Sequence, residues 1–155
     1  MSSNETFVLI KPDGVERKLV CKIISYFTEH NIFPRTFDLQ IATVEKITSH
    51  YAEHIERFGS DFEVKTKAAF EGKMVIPVVL SGADTVISDV RKIVGATESL
   101  KAAKGTIRGD LGLDDSIEKA NSEFRLVENL IHASDSEEAV KREAGIWLPN
   151  LDSIH

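Results

Sequence analysis

The residue types around position 132 could support nucleophilic chemistry. His132 follows the short apolar run Leu130-Ile131, which is typical of a strand, and Ser134 and Asp135 come directly after it. An unperturbed imidazole has a pKa of about 6.5, so much of it is neutral and nucleophilic near neutral pH. A hydrogen-bonded structural histidine at a strand end is the alternative interpretation.

A carboxylate eleven residues later could serve this histidine. The pattern over residues 136–147 predicts a helix, and at about 100° per residue Glu143 falls on the same face as Val140 and Trp147. A carboxylate on the core side of a helix needs a partner, because burying a lone charge is costly. An imidazole N–H of His132 would be such a partner and would fix the ring tautomer. A salt bridge to a nearby Lys or Arg is the alternative.

Three cations elsewhere in the sequence could hold an anion. Lys11 follows the first predicted strand and precedes Pro-Asp-Gly, a strong turn signal. Arg108 sits between two glycines in a predicted tight loop, where the backbone can approach a ligand closely. Arg91 borders the apolar side of a predicted helix. Arginine suits phosphate through bidentate hydrogen bonds, although each cation taken singly is more typical of a structural residue.

Other motifs for phosphate or metal binding are missing from the sequence. Gly72-Lys73 lacks the upstream glycine and the following Ser or Thr of a Walker loop. No His/Cys cluster has the spacing of metal ligands. His50 and His54 are four residues apart on a predicted helix without an evident third ligand, and we expect them to be surface histidines.

Composition limits the class of protein. The 155 residues fit one domain, 1–155, with 42% hydrophobic and 28% charged residues. The net charge of −6 disfavours broad binding to nucleic acid or anionic membranes. One cysteine, Cys21, excludes an intrachain disulfide and fits a reducing compartment. We find neither a signal-peptide pattern at the N-terminus nor a membrane-spanning run, which predicts a cytoplasmic protein.

The elements that must position these residues alternate along the chain. Apolar patterns and turn signals predict strands at 6–10, 33–42, 74–80 and 130–133, and helices at 19–30, 44–55, 61–70, 85–94 and 136–147. Asp84 is the expected cap of the fourth helix, and residues 95–126 are expected to be mostly loop. Pro34 predicts an edge position or a bend at the start of its strand, and Pro77 predicts an edge position or a bulge.

This order allows two architectures. One is a parallel α/β sheet, and the other is a split βαββαβ sheet with antiparallel strands. A proline inside the most apolar strand is awkward in a four-stranded parallel sheet. The sequence therefore favours the antiparallel, α+β arrangement.

Three separated motifs together resemble one family. Lys11-Pro-Asp-Gly-Val15, Gly105-Thr-Ile-Arg-Gly-Asp110 and Asn129-Leu-Ile-His-Ala-Ser-Asp-Ser136 occur in this order, with Glu143 after them. Over essentially its whole length the chain resembles the nucleoside diphosphate kinases. The resemblance implies a ferredoxin-like fold with a four-stranded antiparallel sheet, and transfer of a γ-phosphate between nucleotides by a ping-pong mechanism with broad base tolerance.

The resemblance also implies roles for individual residues. His132 matches the phosphorylated histidine, Glu143 the carboxylate that orients it, and Ser134 a supporting hydroxyl. Lys11 and Asn129 match residues that hold ribose hydroxyls and phosphate. The remaining nucleotide contacts would be Tyr51, Arg91, Thr97 and Arg108 near the phosphates, and Leu126 with either Phe58 or Phe62 around the base. Mg²⁺ would arrive with the nucleotide phosphates rather than on a metal site of the protein.

Several segments depart from the family pattern. About eleven extra residues enlarge a loop near residues 111–128, which is largely acidic and would lie beside the nucleotide. The segment that contains Phe58 and Phe62 is about three residues longer than the common pattern, so both remain candidates for base stacking. Ser99 and Lys104 replace prolines in a loop that builds subunit contacts in many members. A homo-oligomer is expected, with a hexamer favoured over a tetramer or dimer.

Two other functions are alternatives to catalysis. A regulatory nucleotide-binding module on the same fold would have lost phosphate transfer, which the retained histidine, carboxylate and cations argue against. A structural or partner-binding protein has only the acidic loop in its favour. Phosphate transfer opposes spread negative charge with cations and needs positioning above all, and these residues supply both.

Overall fold

One antiparallel sheet organises the protein. The computed structural model describes residues 4–151, so part of the N-terminal segment examined for a signal peptide lies outside the described residues. The strands are β1 (Glu5–Ile10), β2 (Phe33–Phe37), β3 (Gln40–Ile41), β4 (Met74–Ser81) and β5 (Ile131–Ala133). Their order is β2-β4-β1-β5, every pairing is antiparallel, and β3 continues the ladder beside β4.

Helices connect and cover these strands. They are α1 (Pro12–Glu16), α2 (Val20–Thr28), α3 (Val44–His50), α4 (Ala52–Phe58), α5 (Ser60–Phe70), α6 (Val86–Val94), α7 (Ile107–Leu111), α8 (Ile117–Ser122) and α9 (Glu137–Trp147). In the described part of the chain, none is long and apolar enough to cross a membrane.

The connections make the sheet ferredoxin-like. The chain passes through α2 between β1 and β2, which flank β4, and through α6 between β4 and β5, which flank β1. This is the split βαββαβ arrangement that the sequence favours over a parallel sheet, and it is confirmed.

Two apolar cores cover the faces of the sheet. Alternate residues of β1 point to opposite faces, so Val8 and Ile10 join one core while Phe7 and Leu9 join the other. Helices α2 and α6 cover the first face, and α3, α5 and α9 cover the second. All six β1 residues are buried, which makes this strand a rigid base for whatever lies beyond its end.

The two strand prolines behave differently. Among the described strands, β2 pairs only with β4, so Pro34 lies at an edge as predicted. The edge position predicted for Pro77 is wrong, because β4 lies inside the sheet between β1 and β2. Its carbonyl accepts a hydrogen bond from the amide of Asp38, so its nitrogen faces the same side. On that side, the segment that joins β2 to β3 interrupts the regular pairing with β4. The missing N–H of Pro77 therefore leaves no ladder hydrogen bond unmade.

Several local predictions need correction. Pro12-Asp13-Gly14 begins helix α1 rather than a turn, with proline at a position that needs no N–H donor. The long helix predicted over 44–55 breaks at Tyr51 into α3 and α4. Thr85, not Asp84, occupies the cap position of α6, and its side chain makes no capping bond.

The segment 95–126, predicted as mostly loop, contains α7 and α8. Arg108 therefore lies on a short helix rather than on a tight loop. Both helices begin with a capping side chain: Thr106 accepts from the amide of Gly109, and Ser116 from the amide of Lys119. Because these helices span only five and six residues, they lack the periodic stretch that sequence patterns require.

Candidate active site

Pairing of β1 with β5 brings the first and third motifs together. Leu9 pairs with His132, so the residue after β1 lies beside the residues before β5. The amide of Lys11 donates to the Leu130 carbonyl at 2.8 Å, and its ammonium donates to Asn129 Oδ1 at 2.9 Å. Residues more than 110 positions apart thus share one short ladder.

Leu130 is held in an unusual conformation at this junction. Its φ is +74°, a region that side chains other than glycine seldom adopt. Its amide donates to Asp13 Oδ2 at 3.0 Å, and its carbonyl packs so close to Gly14 that a Cβ there would lie 2.9 Å from the oxygen. The Pro-Asp-Gly motif therefore fixes the turn that leads into His132, which is typical of strain maintained at a functional site.

His132 belongs to a hydrogen-bonded chain of three side chains, together with Glu143 and Ser134. Its Nε2 lies 2.7 Å from Glu143 Oε2, and the same oxygen accepts from Ser134 Oγ at 2.5 Å. Glu143 is 3% exposed and Ser134 is fully buried. A carboxylate can only accept, so Nε2 carries the proton and Nδ1 keeps its lone pair. Among the described residues, Nδ1 has no hydrogen-bond partner.

The salt-bridge alternative for Glu143 is also present, in a weaker form. Arg142 approaches the other carboxylate oxygen, Oε1, at 3.5 Å. Three donors therefore share the carboxylate, and the shortest contacts come from Ser134 and His132. This set of partners compensates the cost of burying the charge.

Lys11 and Arg108 are buried cations near this chain. The pKa of Lys11 is lowered to about 8, mainly by burial; the negative charge of Asp13 opposes this shift and the positive charge of Arg108 adds to it. Burial likewise lowers the pKa of Arg108 to about 10. Desolvation opposes both charges, so an anion that entered the site would be strongly favoured by them.

Arg108 also ties the site together. Its guanidinium donates to three backbone carbonyls, those of Asn129 at 3.1 Å, Gly95 at 3.1 Å and Ile131 at 2.6 Å. A guanidinium carries five N–H donors, so two remain for a ligand. The arginine is thereby fixed in place before any ligand arrives.

The remaining polar residues lie around the same opening. Asn129 Nδ2 donates to the Thr97 carbonyl at 2.9 Å, and Thr97 lines the same cavity. Arg91 reaches from α6 to the Ala133 carbonyl at 3.1 Å. Both Arg91 and Thr97 are exposed, unlike Lys11 and Asn129.

An aromatic wall extends from this opening. Tyr51, His54, Phe58 and Phe62 contact one another, and the rings of His54 and Phe62 stack with centroids 5.9 Å apart. Phe58 is 56% exposed, whereas Phe62 is half-buried. The Tyr51 centroid lies 6.4 Å from that of His132, and burial raises the pKa of the Tyr51 phenol, so it stays protonated.

The opposite wall comes from α8 and the segment after it. Ile117 and Ala120 of α8, with Leu126, face the same cavity as the aromatic residues. Asp115 holds this wall through two hydrogen bonds from Arg125, at 2.7 and 2.8 Å, and one from the Glu128 amide. The cavity between the walls measures about 940 Å³ and contains every predicted site residue except Ser134, which lies behind Glu143.

Sequence reasoning missed two contributors. His50, expected at the surface, is 3% exposed and lies against the His132 ring. The signal was its spacing, since it follows the buried Ile47 by three residues on α3. Helix α8 was missed as a cavity wall because a six-residue helix leaves little periodicity to detect.

Metal-binding capacity differs between two places in the site. His50, His132 and Glu143 place donor atoms within 4.8 Å of one another. A metal does not fit there, because His50 Nδ1 accepts from Trp147 and Glu143 Oε2 already accepts two hydrogen bonds. Exposed carboxylates at the cavity margin, such as Asp135, offer the oxygen donors that suit Mg²⁺ shared with phosphates and water.

Fold and site together define a class of protein. A ferredoxin-like sheet presents a carboxylate-bound histidine, with one free ring nitrogen, to a cavity that contains buried cations and an aromatic wall. Such an arrangement suits an enzyme that moves a phosphoryl group on a planar, anionic molecule.

Comparison with known proteins identifies the family. The family model for nucleoside diphosphate kinase matches residues 4–152. Curated nucleoside diphosphate kinases from Mycobacterium marinum and Sulfolobus acidocaldarius are 38% and 40% identical, covering 96% and 99% of this chain and 98% and 96% of theirs.

Solved structures agree with these sequence relatives. The kinase from Borrelia burgdorferi, a transition-state mimic with bound vanadate and ADP, has a TM-score of 0.87 at 30% identity and covers 93% of this chain and 86% of that one. The kinase from Pyrobaculum aerophilum has a TM-score of 0.82 at 28% identity, with 94% and 95% coverage. The chain belongs to the nucleoside diphosphate kinase family and is an enzyme of that class.

Proposed function

We propose that this protein transfers the γ-phosphate of a nucleoside triphosphate to a nucleoside diphosphate in two steps. In the first step Nδ1 of His132 attacks the γ-phosphorus, the bond to the β-phosphate oxygen breaks, and a nucleoside diphosphate leaves. In the second, a β-phosphate oxygen of another diphosphate takes the phosphoryl group from Nδ1. The observation that carries this proposal is the 2.7 Å contact from Nε2 to Glu143, which leaves Nδ1 unprotonated.

Glu143 and Ser134 orient the nucleophile in this proposal. The carboxylate keeps the Nε2 proton in place while Nδ1 gains a phosphoryl group, and it opposes the positive charge that develops on the ring. The Ser134 hydroxyl fixes the carboxylate from behind at 2.5 Å. Because all three side chains are tied before nucleotide binds, little reorganisation accompanies the reaction.

The cations supply the charge that the transferring group needs. Lys11, Arg91 and Arg108 would contact the phosphates, with the Thr97 hydroxyl and the Tyr51 phenol as neutral donors. Asn129 would share the sugar hydroxyls with Lys11, to which it is already hydrogen-bonded. Donors placed where negative charge develops are worth more in a buried site than in water.

Mg²⁺ is part of the proposal: it would arrive with the nucleotide phosphates, and carboxylates of the cavity margin such as Asp135 would hold it. When bound it would neutralise phosphate charge and hold the chain of phosphates in one geometry. The side chains that touch His132 act on the ring and on the phosphoryl group, not on the ion.

Broad tolerance for different bases follows from the aromatic and apolar side chains that form the two walls of the cavity. Phe62 or Phe58 on one side and Leu126 on the other would enclose the base by stacking and apolar contact, which every base accepts. The vanadate and ADP bound to the Borrelia burgdorferi relative support a site for both base and phosphate on this fold.

Self-association belongs to the same proposal. Among the described strands, β2 pairs on one side only, and Phe33, Phe37 and Ile41 on and beside this edge are more than half exposed. Such an edge is suited to pairing with another copy.

We propose that the chain forms a single domain, 1–155, and that this domain assembles into a homo-oligomer, a hexamer in preference to a tetramer or dimer. We propose that the protein acts in the cytoplasm. Light scattering measures the mass.

Labelling with γ-³²P ATP and Mg²⁺ tests the transfer. We expect one equivalent of acid-labile, alkali-stable label on the wild type, which a nucleoside diphosphate discharges. In His132→Ala we expect the rate of labelling to fall by at least about a thousandfold. Label retained in His132→Ala would overturn the assignment of the nucleophile. Nucleotide binding without label in the wild type would favour a binding module instead.

A further inference from the structure

His50 is a buried histidine that the proposed transfer does not use. It lies at the end of α3 and is 3% exposed. Its Nε2 is buried and, among the described residues, has no hydrogen-bond partner. Buried polar atoms without partners are rare in folded proteins and indicate a role that compensates their cost.

Trp147 determines which nitrogen of His50 carries the proton. The indole Nε1 lies 3.0 Å from His50 Nδ1, at the end of α9. An indole N–H can only donate, so Nδ1 must accept and the proton must be on Nε2. This contact selects one tautomer of a neutral ring.

Several groups packed around His50 also oppose a positive charge on it. His132 on β5, Arg142 on α9, His54 on α4 and Lys11 after β1 are the cationic or titratable neighbours. Glu143 is the acidic group nearby, and it is already shared by three donors. Burial, followed by these neighbours, lowers the pKa of His50 well below its usual value.

The His50 ring touches the nucleophile directly. The centroids of the His50 and His132 rings are 4.5 Å apart, with an angle of 80° between their planes. The hydrogen bond from His132 Nε2 to Glu143 fixes one atom of the imidazole but leaves the ring able to pivot about that contact. A second ring packed edge-to-face removes this freedom and sets the direction of the Nδ1 lone pair.

We propose that His50, held neutral and in one tautomer by Trp147, is a positioning residue for His132. A protonated His50 would lose the contact with Trp147, because two donors would face each other. It would also compete with His132 for Glu143, whose carboxylate lies within 4.8 Å of both rings. The indole N–H therefore protects the alignment of the nucleophile at mildly acid pH. This inference rests on the proposed function.

The wild-type protein provides the first test. Two-dimensional ¹⁵N NMR of the histidine rings reports the tautomer and the charge. We expect His50 to stay neutral, with the proton on Nε2, from about pH 5.5 to about pH 8. A protonated ring or the opposite tautomer in this range would overturn the proposal, and no variant is needed for that result.

The variant Trp147→Phe removes the N–H donor and retains an aromatic ring. We expect the acid limb of the pH profile for phosphorylation by ATP to move about one unit toward alkaline pH, because His50 can then be protonated. In Trp147→Phe/His50→Asn this shift should vanish, since the group that titrates is gone. A shift that persists in the double variant, or is absent from a folded single variant, would contradict the proposal.

Two further variants separate positioning from packing. Val79→Ala removes volume from the same core as Trp147 without removing a donor, and its pH profile should match the wild type. His50→Asn should lower kcat about fivefold and leave the KM for nucleotide unchanged, since it contacts the nucleophile and not the nucleotide. If Val79→Ala and Trp147→Phe lost kcat and thermal stability equally and had the same pH profile, the contact between Trp147 and His50 would have only a structural role. Absence of label in the wild type would instead refute the proposed function.

Discussion

The two ends of the cavity are built on different principles. At the histidine end Lys11, Asn129 and Glu143 are buried and fixed by hydrogen bonds, Lys11 and Asn129 to each other and Glu143 to His132 and Ser134. At the aromatic end Phe58 and Ile117 are 56% and 46% exposed, and the contacts are between rings or apolar groups.

This contrast matches two different demands. Phosphoryl transfer requires alignment of reacting atoms within a fraction of an ångström, which only an over-determined network provides. Holding any of several bases requires surface that accepts them all, which apolar walls supply without fixed hydrogen bonds. Substitutions of Glu143 and Ser134 beside His132 should therefore change the rate of transfer, and those at the aromatic end should change nucleotide affinity.

Glu143→Gln should have the largest effect. The amide presents a donor as well as an acceptor to His132 Nε2, so the correct tautomer is no longer enforced, and we expect phosphorylation to slow roughly a hundredfold. Single-turnover labelling measures the rate, and calorimetry should show nucleotide affinity unchanged. Glu137→Gln, at an exposed position of the same helix, is the control. Equal rates in the two variants would remove the orienting role.

The buried ammonium of Lys11 predicts a pH effect on binding. Because its pKa is lowered to about 8, the free protein loses this charge above pH 8. Binding a polyphosphate restores the proton, so affinity should fall by up to about tenfold per pH unit between pH 8 and pH 10. Titrations in two buffers of different ionisation enthalpy should show proton uptake. Lys11→Arg, which stays charged, should lose this slope, and a slope retained there would assign the effect to another group.

The two candidate stacking residues should differ in effect. Phe62 is half-buried and packs on His54 and Tyr51, whereas Phe58 is mostly exposed, so we expect Phe62 to stack on the base. Phe62→Ala should raise the KM for nucleoside diphosphates about tenfold with kcat little changed. Phe58→Ala should raise this KM by less than about threefold. The reverse order would assign stacking to Phe58.

Asp115→Asn should affect stability more than turnover. The variant breaks the double hydrogen bond with Arg125 that holds the α8 wall, and we expect the free energy of unfolding to fall by about 2 kcal/mol. Hydrogen bonds from Arg125 lower the pKa of Asp115 to about 2, so the stabilisation is complete above pH 4 and is lost as pH falls through 2.

Denaturant titrations at several pH values measure the contribution of Asp115. Glu118→Gln, an exposed residue on α8, should change neither stability nor KM. A large change in kcat for Asp115→Asn would mean that the two ends of the cavity are coupled, contrary to the division drawn above.

Local patterns predicted much of the fold. The apolar runs of β1 and β4 and the amphipathic stripes of α2, α6 and α9 were visible, because burial on one face produces a period that short windows detect. Pro77 was misplaced because its tolerance depends on a gap in the neighbouring strand. The helices of segment 95–126 were missed because they are held by caps and by contacts with distant residues, as the hydrogen bonds from Arg17 to the Leu111 carbonyl and from Tyr26 to Asp110 show for α7.

The sequence by itself determined the chemical groups and the family. His132, Glu143, Lys11 and Arg108 could be selected because their types and their order along the chain are written directly in it. Tertiary structure alone decided which groups meet. Pairing of β1 with β5 joined Lys11 to Asn129, and packing of α3 on α9 buried His50 beneath His132 with Trp147 as its donor. These contacts join residues about a hundred positions apart, so no local period encodes them, and only the packed chain brings their atoms together.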